Sequence, residues 1–257
     1  MTRNNFFQRA TMWAAATVML ALLQGCATAP GGNPSDPFES FNRSVFSFND
    51  KVDMAVIKPV ATAYRDVTPS PIRTGVANFF GNVSDAWSAV NNVLQAKPEF
   101  ALDSLFRVTV NTLFGLGGVL DVAGEAHIPK HTEDFGQTLG HWGVPAGPYL
   151  VLPILGPSTV RDAAALIVDT QGDAVSAASN VAARNTLTAT RAVSLRARLL
   201  DAGELLDEAS LDKYSFAREV HLQRRRSLVG RNANEKEERF DLPEVGAEAA
   251  PVPAASK

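Results

Sequence analysis

The chain has 257 residues, 46% of them hydrophobic, 20% charged and 8% aromatic, with one cysteine and a formal net charge of −3. Apolar residues at that density exclude a disordered protein. The lone cysteine excludes an intramolecular disulfide or a cysteine-rich zinc site, and the acidic balance offers no electrostatic footprint for nucleic acid. The mean hydropathy of −0.03 lies between the values of water-soluble proteins and polytopic membrane proteins.

Residues 1–25 carry the marks of a signal peptide. Arg3 and Arg9 form a basic start, and Ala10 to Leu23 is apolar apart from Thr11 and Thr17. That run is too short to cross a bilayer, which takes about 20 residues. The segment ends Leu22-Leu23-Gln24-Gly25-Cys26, a pattern that resembles a bacterial lipobox. Cys26 is therefore the expected site of lipidation, and residues 26–35 form an acylated tether of small residues. Losing Arg3 and Arg9 with the leader takes the net charge from −3 to −5. Ala27, rather than Asp, follows the cysteine, which by analogy with lipoprotein sorting in Gram-negative bacteria points to the outer membrane. Acyl chains contribute about 0.8 kcal/mol per buried methylene, so two or three anchor stably.

The body, 36–228, reads as mainly α-helical. Asp36-Pro37-Phe38-Glu39 predicts an N-cap, a proline at the first helical position and a capping-box glutamate. Phe41, Val45, Phe48 and Val52 recur at helical spacing, with Asn42, Asn49 and Asp53 on the other face. Pro59 and Pro69-Ser70-Pro71 close this unit. An apolar stretch from Ile72 ends at Gly81, Ser84 or Asp85 caps the next helix, and Pro98-Glu99 opens another. In that last helix Leu102, Leu105, Phe106, Leu113 and Phe114 form a stripe, and Asp103 pairs with Arg107 one turn on. The segment 134–157 is dense in Gly and Pro and holds one short extended run, Leu150–Leu152, predicting a loop or short hairpin. Helical periodicity returns after Ser158, read as a cap, and continues from Thr186 to Leu206 and from Leu211 to Val229. Residues 229–257 read as a disordered tail.

Nine of the twelve phenylalanines after Cys26 fall between Phe38 and Phe114. They form either an ordinary aromatic core or an array of amphipathic helices whose Phe-rich faces meet lipid. The longest uninterrupted apolar run in the body is Ala163–Val168, so spanning helices are not expected.

Catalytic patterns are missing. His127 and His131 have i, i+4 spacing, but Pro129 lies between them and there is no HExxH, so no metal site is expected. No GxSxG is present, and Gly115-Leu116-Gly117-Gly118 follows a helix and reads as its C-cap.

Several blocks together carry a family resemblance. They are Asp36-Pro37-Phe38-Glu39-Ser40-Phe41-Asn42-Arg43, Asn111 to Gly118 with Asp121-Val122-Ala123, and Asp134 to Gly143, followed by Gly147-Pro148-Tyr149, Leu152-Pro153, Arg161-Asp162 and Tyr214 with Arg218-Glu219. Over about 36–228 the chain resembles the MlaA (VacJ) outer-membrane phospholipid-transport lipoproteins. The resemblance implies a ring-like domain of amphipathic helices embedded from the periplasmic side, around an amphipathic channel. Phospholipids that stray into the outer leaflet would pass through it to a soluble periplasmic lipid carrier, beside a trimeric porin, with no cofactor and no covalent chemistry. Two placements for Asn42, Asn49 and Asp53 stand side by side: the channel or its mouth, or structural bonding to backbone. Gly143 and Gly147 bracket a loop resembling the family's flexible element, where glycine permits a hinge, and Pro145 within it limits the swing. The competing functional reading is a scaffold lipoprotein without a transport role.

Overall fold

The computed structural model describes residues 36–230, the side chains of 205–209 excepted. The leader, Cys26, the tether and the tail beyond Gly230 lie outside the described residues. The fold is mainly helical. Helix α1 (Glu39–Val52) continues through a π-helical turn (Asp53–Ile57) into α2 (Lys58–Val67). Then come α3 (Ser70–Leu94), α4 (Pro98–Leu113), the short α5 (Val122–Glu125) and α6 (Phe135–His141). A hairpin of β1 (Tyr149–Leu152) and β2 (Gly156–Thr159) precedes α7 (Val160–Gly172), α8 (Val181–Arg198), α9 (Leu200–Ala209) and α10 (Lys213–Val229). Among the described residues no helix is long and apolar enough to cross a membrane.

Several local expectations give way to tertiary demands. Asp36 does not cap α1; its buried carboxylate accepts from Asn42 Nδ2 at 2.8 Å, from Arg218 Nη1 at 3.0 Å and from the Tyr214 hydroxyl, tying the start of the body to α10. Pro59 does not end the first unit. The π turn closes just before Lys58-Pro59, and the proline follows it in the first turn of α2, its fixed φ compatible with the helix. Gly81 does not divide Ile72–Gln95 into two helices; α3 is one helix of 25 residues. A Cβ at Gly81 would lie 3.1 Å from Lys130 Nζ, so the glycine leaves room for that lysine to reach Asp85 at 3.1 Å. Asp85 is thus a buried mid-helix anion and not a cap. Ser158 belongs to β2, and the cap of α7 is Thr159, whose hydroxyl accepts from Asp162 N.

The hairpin is antiparallel, with Tyr149 opposite Thr159 and Leu152 opposite Gly156. Its other flank is closed by side chains of α1. The Asn42 amide donates to Tyr149 O at 3.0 Å and accepts from Val151 N at 2.8 Å. The Asn49 amide donates to Leu152 O at 2.9 Å and accepts from Ile154 N at 2.7 Å. Seven helical residues rise about 10.5 Å, and three strand residues advance about 10 Å, so two asparagines seven apart meet strand positions three apart. Each amide does what a neighbouring strand's peptide group would do.

Burial is inverted relative to a water-soluble helical domain. Among the described residues twenty polar or charged residues are buried, against eleven hydrophobic ones. Helix α3 buries Asn82, Asp85, Ser88, Asn91 and Asn92, and α4 buries Ser104, Arg107 and Asn111. These positions recur every three or four residues, so each helix carries a polar stripe on its inner face. The Leu102–Phe114 stripe of α4 faces outward instead, its five large members 55–71% exposed.

Replacing Asn42 by Ala should leave Tyr149 O and Val151 N buried without partners. At roughly 1–3 kcal/mol for each unsatisfied group, we expect a loss of about 3 kcal/mol in denaturant unfolding of the detergent-solubilised chain. An unchanged midpoint would show that the hairpin is held by other contacts.

Candidate functional site: a polar cavity walled by four helices

A cavity of about 540 Å³ lies between α2, α3, α4 and α8, within the range of small-molecule sites (about 300–1,000 Å³). Helix α3 supplies much of its wall through Ser70, Arg73, Thr74, Asn78, Asn82 and Asp85, successive turns of a single face. Tyr64 comes from α2, Arg107 and Asn111 from α4, and Ser194 and Arg198 from α8. Asp121 and Lys130 reach in from the segment that follows α4. The opposite face of α3 (Ile72, Val76, Phe79) joins Val119 and Leu187 in a second, almost wholly apolar hollow of about 440 Å³. One helix therefore separates a polar space from an apolar one.

Arg107 organises the polar wall. It is 3% exposed, and its guanidinium donates to Asp85 at 3.1 Å, to Ile128 O at 2.8 Å and to Asp121 at 2.9 and 3.1 Å. The Asp103 pairing expected from sequence is not made; Asp103 meets His131 Nε2 at 3.0 Å instead. Burial alone would raise the Asp121 pKa, but bonds from Asn111, Gly124 N and Arg107 outweigh it and hold the carboxyl below its usual value. A second polar network joins the end of α3 to α6. Gln95 Nε2 donates to Glu133 at 3.1 Å and to the Thr138 hydroxyl at 3.1 Å, which in turn donates to Asn91 Oδ1 at 2.8 Å.

The residues singled out by sequence sit elsewhere. Asn42 and Asn49 hold the hairpin, as described, and Asp53 forms a bidentate pair with Arg196 at 2.8 Å. Gly143 (φ +88°) and Gly147 (φ +69°) both adopt the left-handed backbone that favours glycine. A Cβ at Gly143 would meet no atom within 4 Å, so conformation and not space accounts for that glycine. None of these five lines the cavity, and Cys26 is outside the described residues. Sequence reasoning does not find the wall, because the polar stripe Asn82, Asp85, Ser88, Asn91 and Gln95, whose first two members line the cavity, is as regular as the apolar stripes yet has no apolar period to mark it.

An Arg107→Gln substitution should leave Asp85 and Asp121 short of a buried cation and cost about 3–5 kcal/mol at pH 7. Asp121 has a lowered pKa when folded, so its stabilising contribution is present above the unfolded value of about 3.9. It is lost as pH falls through the folded value. The gap between variant and parent should accordingly narrow on acidification, measured by urea unfolding across that range; a gap independent of pH would contradict the coupling.

A family model describing the MlaA lipoproteins matches residues 34–228. An Escherichia coli K12 protein named as the intermembrane phospholipid transport system lipoprotein MlaA is 40% identical over 210 residues, 79% of this chain and 82% of its own. The protein of that name in Haemophilus influenzae is 34% identical over 165 residues, 60% of this chain and 66% of its own. A solved structure from work on the maintenance of bacterial outer-membrane lipid asymmetry superposes with a TM-score of 0.67 at 38% identity, covering 76% of this chain and 99% of that one. The chain belongs to the MlaA lipoprotein family.

Proposed function

We propose that the chain removes phospholipids from the outer leaflet of the outer membrane through the polar cavity and passes them to a soluble periplasmic carrier, preserving lipid asymmetry. The observation that carries this reading is the inversion of burial: polar stripes line the space between helices, and large apolar side chains face out. A phospholipid needs both media, because a phosphate in hydrocarbon costs many kcal/mol and acyl chains in water cost about 0.8 kcal/mol per methylene. The names of the family's relatives support the same role. The helices are embedded from the periplasmic side by their apolar faces, Cys26 carries the acyl anchor, and a trimeric porin is the neighbouring partner. The transfer is non-covalent and takes no cofactor.

Deleting the gene should increase phospholipid at the cell surface, measured by labelling or by lipid A palmitoylation, and the full-length gene should restore the parental level. No increase on deletion would overturn the transfer reading. In the same strain Gly143→Val should fold yet fail to complement, since a β-branched residue at φ +88° is strained by about 1–3 kcal/mol. Full complementation would remove the loop from the mechanism.

Replacing residues 1–26 by a secretory leader that is cleaved without acylation removes the Cys26 anchor and tests the embedding separately. A merely tethered scaffold would be released into the soluble periplasmic fraction, whereas a domain held by its own apolar faces should still require detergent.

A further inference from the structure

The polar cavity contains more positive charge than its own carboxylates neutralise. Arg73, Arg107, Lys130 and Arg198 line it, against Asp85 and Asp121. Arg107 and Lys130 are paired with those two carboxylates at 2.9–3.1 Å. Arg73 and Arg198 form no ion pair with any described residue, and Arg73 Nε is buried without a hydrogen-bond partner. Two other buried polar atoms on the same wall also lack partners: the Tyr64 hydroxyl and Oδ1 of Asn82, a residue only 7% exposed. Buried polar atoms are nearly always satisfied, so three unpartnered ones on residues that line one cavity leave polar capacity that a bound group can meet. That group is anionic, to answer two guanidiniums, and also carries a hydroxyl or ammonium to donate to Asn82 Oδ1.

Resting on the phospholipid-transfer reading, we propose that Arg73 and Arg198 bind the phosphate of a glycerophospholipid headgroup, with Tyr64 and Asn82 bonding its polar substituent. Guanidinium suits this task because its planar fork can present two N–H groups to one phosphate. The site is built without sacrificing an internal bond, since neither arginine supports another described side chain. Val67 and Ile72, exposed apolar side chains beside the cavity-lining Ser70, offer acyl chains a surface that free phosphate would not use.

The test uses full-length chain purified in detergent, with a photo-crosslinking benzoylphenylalanine in place of Thr74, which lines the cavity and is exposed. It is mixed with liposomes of ³²P-labelled phosphatidylethanolamine and phosphatidylglycerol and irradiated. The parent should capture label, and the Arg73→Gln/Arg198→Gln double variant about tenfold less, as expected for losing charge-assisted bonds. The corresponding double Lys variant should recover most of it. Equal capture by a Gln variant that melts with the parent, or no capture by the parent, overturns the headgroup site.

A second arm is independent of the variants' folding. Tritiated diacylglycerol, which has no phosphate, should be captured about tenfold less by the unsubstituted arginines, and equal capture overturns the proposal. Excess inorganic phosphate should leave the lipid signal largely intact. Its abolition would make this a site for the free anion and overturn the lipid assignment. A gene that restores asymmetry in cells but captures no lipid here removes the headgroup site alone, while an unchanged deletion strain removes the transfer reading and leaves any capture standing.

Discussion

A guanidinium buried between two helices is tolerated only where carboxylates and carbonyls meet it, and Arg107 meets three such partners from three segments. Asp85 fixes it to α3, Asp121 to the turn after α4 and Ile128 O to the chain beyond α5. Because removing any partner would strand a charge, the spacing of α3, α4 and the 121–130 segment is set by this one side chain. Lys130, passing over Gly81, completes the charge balance on Asp85. The cavity wall is therefore rigid where its charges are fixed, and its remaining cations, Arg73 and Arg198, stand outside that lattice.

Packing through polar stripes has an energetic corollary. Each large apolar side chain left exposed forgoes about 1.5–3 kcal/mol of burial. The five on the outer face of α4 alone approach 10 kcal/mol, the scale of a whole domain's net stability. On the embedding proposed above, an apolar surrounding supplies that burial and is itself part of the folded state. The same surrounding strengthens the interior, because hydrogen bonds and ion pairs shielded from water are electrostatically stronger. The small hydrophobic clusters, Ala61 with Ala197 and Leu200, and Tyr149 with Val151 and Tyr214, serve as joints between elements more than as a core.

Much of this is legible in the sequence, but several caps and breaks are not, and the direction in which each apolar face points is left open. Helix periods, the hairpin near Leu150–Leu152 and, among the described residues, the lack of any helix long and apolar enough to span a membrane all follow from local pattern. The period of Leu102, Leu105, Phe106 and Leu113 correctly marks α4, yet periodicity alone does not say whether the apolar face is inside or outside. The deciding signal is what occupies the other face. Asparagine, aspartate, serine and glutamine at regular helical spacing in α3 include short amides that bond across to other elements, whereas a face in water is usually rich in Lys and Glu. Asp36, Asn42 and Asn49 were less legible because their partners lie 100 or more residues away, on the hairpin and on α10. Gly81 resembled a breaker because nothing local reveals that a lysine must cross it.

The π turn at Asp53–Ile57 resolves a problem of phase. Five turns of an α-helix take about 18 residues, so a helix continuous from α1 would bring Val60 to the inward position that Asn42 holds and residue 59 to the outward position of Phe41. In the structure Ala61 is fully buried and Val60 is 47% exposed. Phe41 and Val60, Phe48 and Val67, and Asn42 and Ala61 are each nineteen apart, one residue more than five turns. The wide turn takes up that extra residue. It acts as a one-residue clutch, letting a single rod present its asparagines to the hairpin at one end and Ala61 to α8 at the other, while its apolar flank keeps a single heading throughout.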